Sequence, residues 1–143
     1  MKMKTSAHQE NKKRKRILVV EDNPLSMVLM KQLFRADGYE ILETPAGLQA
    51  IEIARDEQPD LILMDVRLPD ICGLDATHLL KQDDLTKTIP IIAVTALATA
   101  EQEKEAMESG CDAYLAKPIA VDKLLRTIGS FLSPSALSGT NLQ

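Results

Sequence analysis

The amino-acid sequence predicts an α/β domain of five strands, each followed by a helix, folded as a doubly wound parallel sheet. Three observations lead there. Four short runs, 17–20 (ILVV), 61–64 (LILM), 91–94 (IIAV) and 113–116 (AYLA), are apolar at every position, as strands covered on both faces require. Stretches with apolar residues at helical spacing lie between them, at 24–37, 46–56, 73–82, 99–109 and 120–132. Strand and helix alternate throughout, and right-handed crossovers then put helices on both sides of a single sheet.

Taken in order, the first run ends on Glu21-Asp22, and Asn23-Pro24 opens the helix that Gly38 closes. The second strand, 39–43, is the weakest, because Glu40 and Glu43 interrupt it. Its helix stops before Pro59, and the third run ends on Asp65. The fourth ends on Thr95, and the helix after it stops at Gly110. The fifth ends on Lys117-Pro118. Residues 17–132 form one domain. Residues 1–16 read as a basic disordered arm, and 133–143 as a flexible tail of small uncharged residues.

Composition narrows the function classes. Hydrophobic residues are 45% of the 143, enough for a core, but aromatics are only 3%, so the core must be aliphatic. No apolar run is long enough to span a membrane, and no apolar stretch follows the basic N-terminus as in a secretory signal. Cys72 and Cys111 are too few for a disulfide scaffold and lack metal-type spacing. A reduced, cytoplasmic chain is expected. The net charge of −4 hides +6 in residues 1–16 and −10 in the rest. The run 12–16 has no interleaved aromatic to stack on bases, and the acidic body repels a phosphate backbone, so nucleic acid is not the expected partner.

Open α/β sheets place their sites beyond the C-terminal strand ends. Glu21, Asp22, Asp65, Thr95 and Lys117 all follow strand ends, so three carboxylates, a hydroxyl and an amine should share one rim. Alone, a strand-end Asp is more often a turn or helix cap than a nucleophile, Thr95 could equally cap the next helix and Lys117 could be a surface charge; four such positions on one rim are improbable by chance. Carboxylates so close must share protons or bind a cation, and oxygen-only ligands favour Mg2+. With Mg2+ and Lys117 the formal charges of the three acids cancel. A phosphoryl group on Asp65 leaves about one surplus negative charge for Thr95 and Lys117 to meet. The chain has no GxxxxGK[ST] or GxGxxG cradle. Phosphatases with a strand-end Asp pair it with a second Asp two residues on, where this chain has Arg67.

The segments VVEDNP, LILMDVRLPDICGLD, AVTA and AYLAKPI resemble, at their spacing, the receiver domain of two-component response regulators. The resemblance implies a flavodoxin-like sheet of order 2-1-3-4-5. It also implies that Asp65 accepts a phosphoryl group from a histidine kinase or phosphotransfer protein, with little or no enzymatic activity beyond slow hydrolysis of its own aspartyl phosphate. Glu21, Asp22, Asp65 and the backbone carbonyl of Arg67 would hold Mg2+. Thr95 and Lys117 would contact the phosphoryl group, the Lys117–Pro118 bond would be cis, and Tyr114 would turn inward with Thr95. Downstream signalling proteins would read the 97–128 face. The likeness to stand-alone cell-division regulators implies cell-cycle or polarity kinases as partners and a monomer or weak dimer; a phosphate shuttle or sink in a phosphorelay is the alternative. Arg67 either shields the acyl phosphate or pairs with Asp70.

Two helix surfaces carry further expectations. Seven of the ten residues from Leu25 to Phe34 are apolar, more than one buried stripe needs. Family likeness buries Leu29, Met30 and Leu33, leaving Leu25 and Val28 exposed to dock a kinase helix pair. The helix ending at Ser109 carries Glu101, Glu103, Glu105 and Glu108, an acidic face that is either a docking surface or simply solvated.

Overall fold

The computed structural model describes residues 14–97 and 99–132. The expectations for most of the basic arm and for the tail therefore lie outside the described residues. Ten elements alternate: β1 (Arg16–Val20), α1 (Pro24–Ala36), β2 (Glu40–Thr44), α2 (Gly47–Glu57), β3 (Leu61–Asp65), α3 (Gly73–Gln82), β4 (Ile91–Thr95), α4 (Ala100–Ser109), β5 (Ala113–Ala116) and α5 (Val121–Leu132). The five strands are parallel, in order β2-β1-β3-β4-β5, as expected. The edge strand β2 sits one residue later than its weak pattern suggested.

Alternate residues of the central strands feed two cores. On one face Leu18, Ile62, Met64, Ile91 and Ala93 pack with Ala50 and Ala54 of α2, Leu80 of α3 and Ala106 of α4. On the other, Ile17, Val19, Leu63, Ile92 and Val94 pack with Met27, Met30 and Phe34 of α1 and with Leu124 and Ile128 of α5. Because both faces are covered, β3 and β4 are buried at every position.

One expectation needs correction. Leu29 is 52% exposed and is not part of the buried stripe of α1, and Leu33 is only partly covered. The stripe is Met27, Met30 and Phe34, spaced at three and four residues. Leu25 and Val28 are exposed, as expected, and Leu29 joins them.

Helix ends follow local chemistry. The Asn23 side chain accepts from the Ser26 amide and Pro24 sits at the first turn, so this segment does cap α1. Thr99 caps α4 by accepting from the Gln102 amide. Gly110, at φ 103°, ends α4 in the left-handed region that glycine adopts without a Cβ penalty.

Candidate functional site

The strand order reverses at β1, which leaves a crevice at the C-terminal ends of β1 and β3. Val20 pairs with Met64 and Asp65 with Val94, so Glu21 and Asp65 emerge side by side while Thr95 and Lys117 follow on β4 and β5. Glu21, Asp22, Asn23, Asp65, Arg67, Ala96 and Lys117 line one depression of about 280 Å3. Carboxylate oxygens of Glu21, Asp22 and Asp65 lie within 4.8 Å of one another. Glu21 and Asp65 are buried and Asp22 is exposed.

Lys117 ties the acids together. Its Nζ donates to Glu21 Oε1 and to Asp65 Oδ2, each at 3.1 Å. The other oxygens take backbone amides: Asn23 N donates to Glu21 Oε2 at 3.1 Å and Arg67 N to Asp65 Oδ1 at 3.0 Å. Burial pushes the Glu21 carboxyl above its ordinary range, assisted by the charge of Asp65 and opposed by the Asn23 amide and Lys117. For Lys117, burial works against the charge. The bond to Glu21 and the field and bond of Asp65 outweigh it, so the ammonium is held above its ordinary range. With Asp22 beside them, these carboxylates form an all-oxygen cluster that could hold a hard cation.

The chain reaches these positions through close backbone contacts. Gly73 N donates to Val66 O at 2.7 Å, and a Cβ at Gly73 would lie 2.0 Å from the Asp65 carbonyl oxygen, so glycine is required where α3 meets the end of β3. Lys117 N donates to Thr95 O at 2.7 Å, and the Lys117–Pro118 bond is cis, as expected.

Thr95 is buried and lines the neighbouring depression of about 560 Å3, together with Arg67, Leu97 and Cys72. Its Oγ1 accepts from Leu97 N at 3.1 Å, while Leu97 O accepts from the Tyr114 hydroxyl at 2.6 Å. Tyr114 is thus outside the acidic depression but joined to Thr95 through one residue. Leu25 and Val28 lie on α1, away from the lining. The four glutamates of α4 are exposed.

Arg67 does not pair with Asp70. The Asp70 carboxylate is taken by α2, accepting from Gly47 N at 2.9 Å and Leu48 N at 2.8 Å, and Arg67 is exposed with no ion pair among the described residues. Sequence reasoning missed this contact. Its one local signal is Ala46, which stands at the N-cap of α2 and has no side-chain acceptor.

Comparison with known proteins agrees with this geometry. Residues 17–129 match the response regulator receiver domain. The chain is 48% identical over 118 residues to the polar-differentiation response regulator DivK of Brucella anthropi, covering 82% of this chain and 96% of the relative. The Brucella ovis DivK is 47% identical over the same length, with the same shares of each chain covered. Among solved structures it resembles the receiver domain of the sensor histidine kinase PA1611 from Pseudomonas aeruginosa, which has a magnesium ion coordinated in its active-site cleft. The TM-score is 0.78 at 33% identity, over 84% of this chain and 98% of that one. A CheY-like receiver protein from Methanospirillum hungatei matches with a TM-score of 0.79 at 28% identity, over 87% and 98%.

Proposed function

Because this chain belongs to the response regulator receiver domain family, we propose that Asp65 is its phosphoacceptor. A histidine kinase or phosphotransfer protein supplies the group: an Asp65 oxygen bonds to phosphorus as the P–N bond of the donor phosphohistidine breaks, and the imidazole leaves with the electron pair. The observation that carries this reading is the bridging of Glu21 and Asp65 by Lys117 beside a third carboxylate, Asp22. Glu21, Asp22, Asp65 and the Arg67 carbonyl would hold Mg2+, a hard cation suited to this all-oxygen set. That ion would supply charge neutralisation, so an anionic donor can approach three acids. Lys117 and the Thr95 hydroxyl meet the added negative charge.

The output follows from Leu97. Its amide is held by Thr95 and its carbonyl by Tyr114, so a turn of Thr95 toward the phosphoryl group is felt on the 97–128 face. Partner proteins that read this face would be signalling proteins, and the likeness to DivK favours regulators of cell polarity. The activity is that of a signalling module in the cytoplasm, acting as a monomer or weak dimer through residues 17–132. Among the described residues no helix is long and apolar enough to cross a membrane.

The test is incubation with Mg2+ and acetyl phosphate or phosphoramidate. Intact mass rises by one phosphoryl unit in the parent and stays fixed in Asp65→Asn; equal labelling of both, or of neither, rejects the assignment. The exposed apolar group Leu25, Val28 and Leu29 on α1 is the proposed kinase dock. Leu25→Glu with Val28→Glu should abolish transfer from the kinase and spare labelling by acetyl phosphate. Loss of both activities would remove the dock from this face.

A further inference from the structure

The segment between β3 and α3 is held at three places. Arg67 N donates to the Asp65 carboxylate, Gly73 N donates to Val66 O, and the Asp70 carboxylate receives the first two amides of α2. The third tie reaches outside the segment to the neighbouring helix α2, which packs on β1. Side chains reinforce it: a Cβ at Gly47 would lie 2.8 Å from Ile71 Cγ1 and 3.2 Å from Leu68 Cδ1, so the loop lies flush on the start of α2. Helix α2 has no cap of its own, since Ala46 offers no acceptor. The amides of Leu48 and Gly47 hold the Asp70 carboxyl below its ordinary range, as expected where both oxygens receive backbone donors at a helix N-terminus.

We infer that Asp70 is a positioning residue for the metal site, fixing the Arg67 carbonyl by anchoring its loop to the N-terminus of α2. The inference rests on the phosphoacceptor reading above, which makes that carbonyl a ligand. With residues 65, 66 and 73 tied at the base, Asp70 is the anchor at the outer end of the loop. Removing it leaves the outer loop held only by the packing of Leu68 and Ile71, so the peptide after Arg67 gains freedom to rotate, while Glu21, Asp22 and Asp65, at or just beyond strand ends, stay in place. A ligand from a loosened loop binds less well because its ordering must then accompany binding.

The experiment measures Mg2+ affinity by titration calorimetry, and hydrogen exchange at the Gly47 and Leu48 amides, in the full chain. Asp70→Ala should weaken Mg2+ binding by about ten-fold, the lower range for a lost supporting contact, and speed exchange at both amides. Asp70→Asn removes the charge but keeps a carbonyl acceptor, so its loss of affinity should be smaller; a loss equal to that of the alanine variant would assign the effect to charge and overturn positioning. Adding Ala46→Ser to Asp70→Ala gives α2 a local cap. Amide protection should recover and Mg2+ affinity should not. Recovery of both, or an Asp70→Ala variant in which neither amide exchange nor Mg2+ affinity changes, would reduce Asp70 to a helix cap and sink the inference. A parent chain that gives no Mg2+ heat would remove the phosphoacceptor reading itself.

Discussion

Glu21, Asp65 and Thr95 are each 6% exposed or less and stand at the ends of β1, β3 and β4, with Lys117 joined to both acids. One loop away, α4 buries only Ala106 of its ten residues and presents Glu101, Glu103, Glu105 and Glu108 to solvent. The rim is thus fixed by sheet register and by bonds that use both oxygens of Glu21 and of Asp65. Helix α4 is held by one small apolar side chain, its Thr99 cap and its neighbours in sequence. The difference separates tasks. On the phosphoacceptor reading, the groups that would meet a transferred phosphoryl group sit on buried strand ends, where their positions are most constrained. The surface proposed to change for a partner sits where few buried contacts oppose movement.

The largest test of this contrast is at the rim. Lys117→Met leaves Glu21 and Asp65 buried without their shared cation. Because the lysine side chain keeps 28% of its exposure, the expected loss is about 2–3 kcal/mol, below that of a fully buried pair. Mg2+ should restore part of that stability by returning a cation, which chemical denaturation with and without the ion will show. The pH dependence has a definite sign. The lysine's folded value is raised, so its stabilisation is complete below the unfolded lysine value and fades as pH rises through the folded one. The raised Glu21 value acts in acid: its ionised form is disfavoured in the fold, so its penalty stands at neutral pH and is relieved as pH falls through the folded value. The methionine variant should lack the alkaline loss and keep the acid relief. If its alkaline limb matches that of the parent, the rim is not stabilised electrostatically.

The same contrast explains what the amino-acid sequence discloses. The runs LILM and IIAV are legible because central parallel strands need apolar residues on both faces, and the residues at their ends follow at once as rim groups. Helix α1 is less legible. With seven apolar residues in ten, several stripes satisfy helical spacing, and only the packing of the helix on the sheet selects Met27, Met30 and Phe34 over Leu29. Strand β2 blurs because an edge strand tolerates Glu40 and Glu43. The Asp70 tie was invisible because it spans 23 residues to backbone amides, which carry no side-chain signature. The Leu97 link between Thr95 and Tyr114 escapes for the same reason: it runs through an amide and a carbonyl.

A smaller effect is expected at α4. Ala106 is fully buried, so Ala106→Leu overfills its seat and should cost about 1–2 kcal/mol. The strain should appear locally, as faster hydrogen exchange across residues 100–109, while Mg2+ affinity and labelling by acetyl phosphate hold at parental levels. A matching fall in Mg2+ affinity would mean that helix and rim are one mechanical unit.

The smallest perturbation tests the joint between the two regions. Tyr114→Phe deletes the 2.6 Å bond to Leu97 O but leaves the ring packed against the core. The freed carbonyl can turn to water, so stability should fall by less than about 1 kcal/mol. Thr95 keeps its own bond to Leu97 N, so phosphorylation by acetyl phosphate should be unchanged. What should change is transmission. In the parent, amide resonances of residues 97–109 should shift when Asp65 is labelled, because Leu97 is held from both sides. In the phenylalanine variant the shifts should end near residue 97, since the second hold is gone. If they extend through α4 as in the parent, the signal leaves the rim by another route and Tyr114 is only a packed tyrosine.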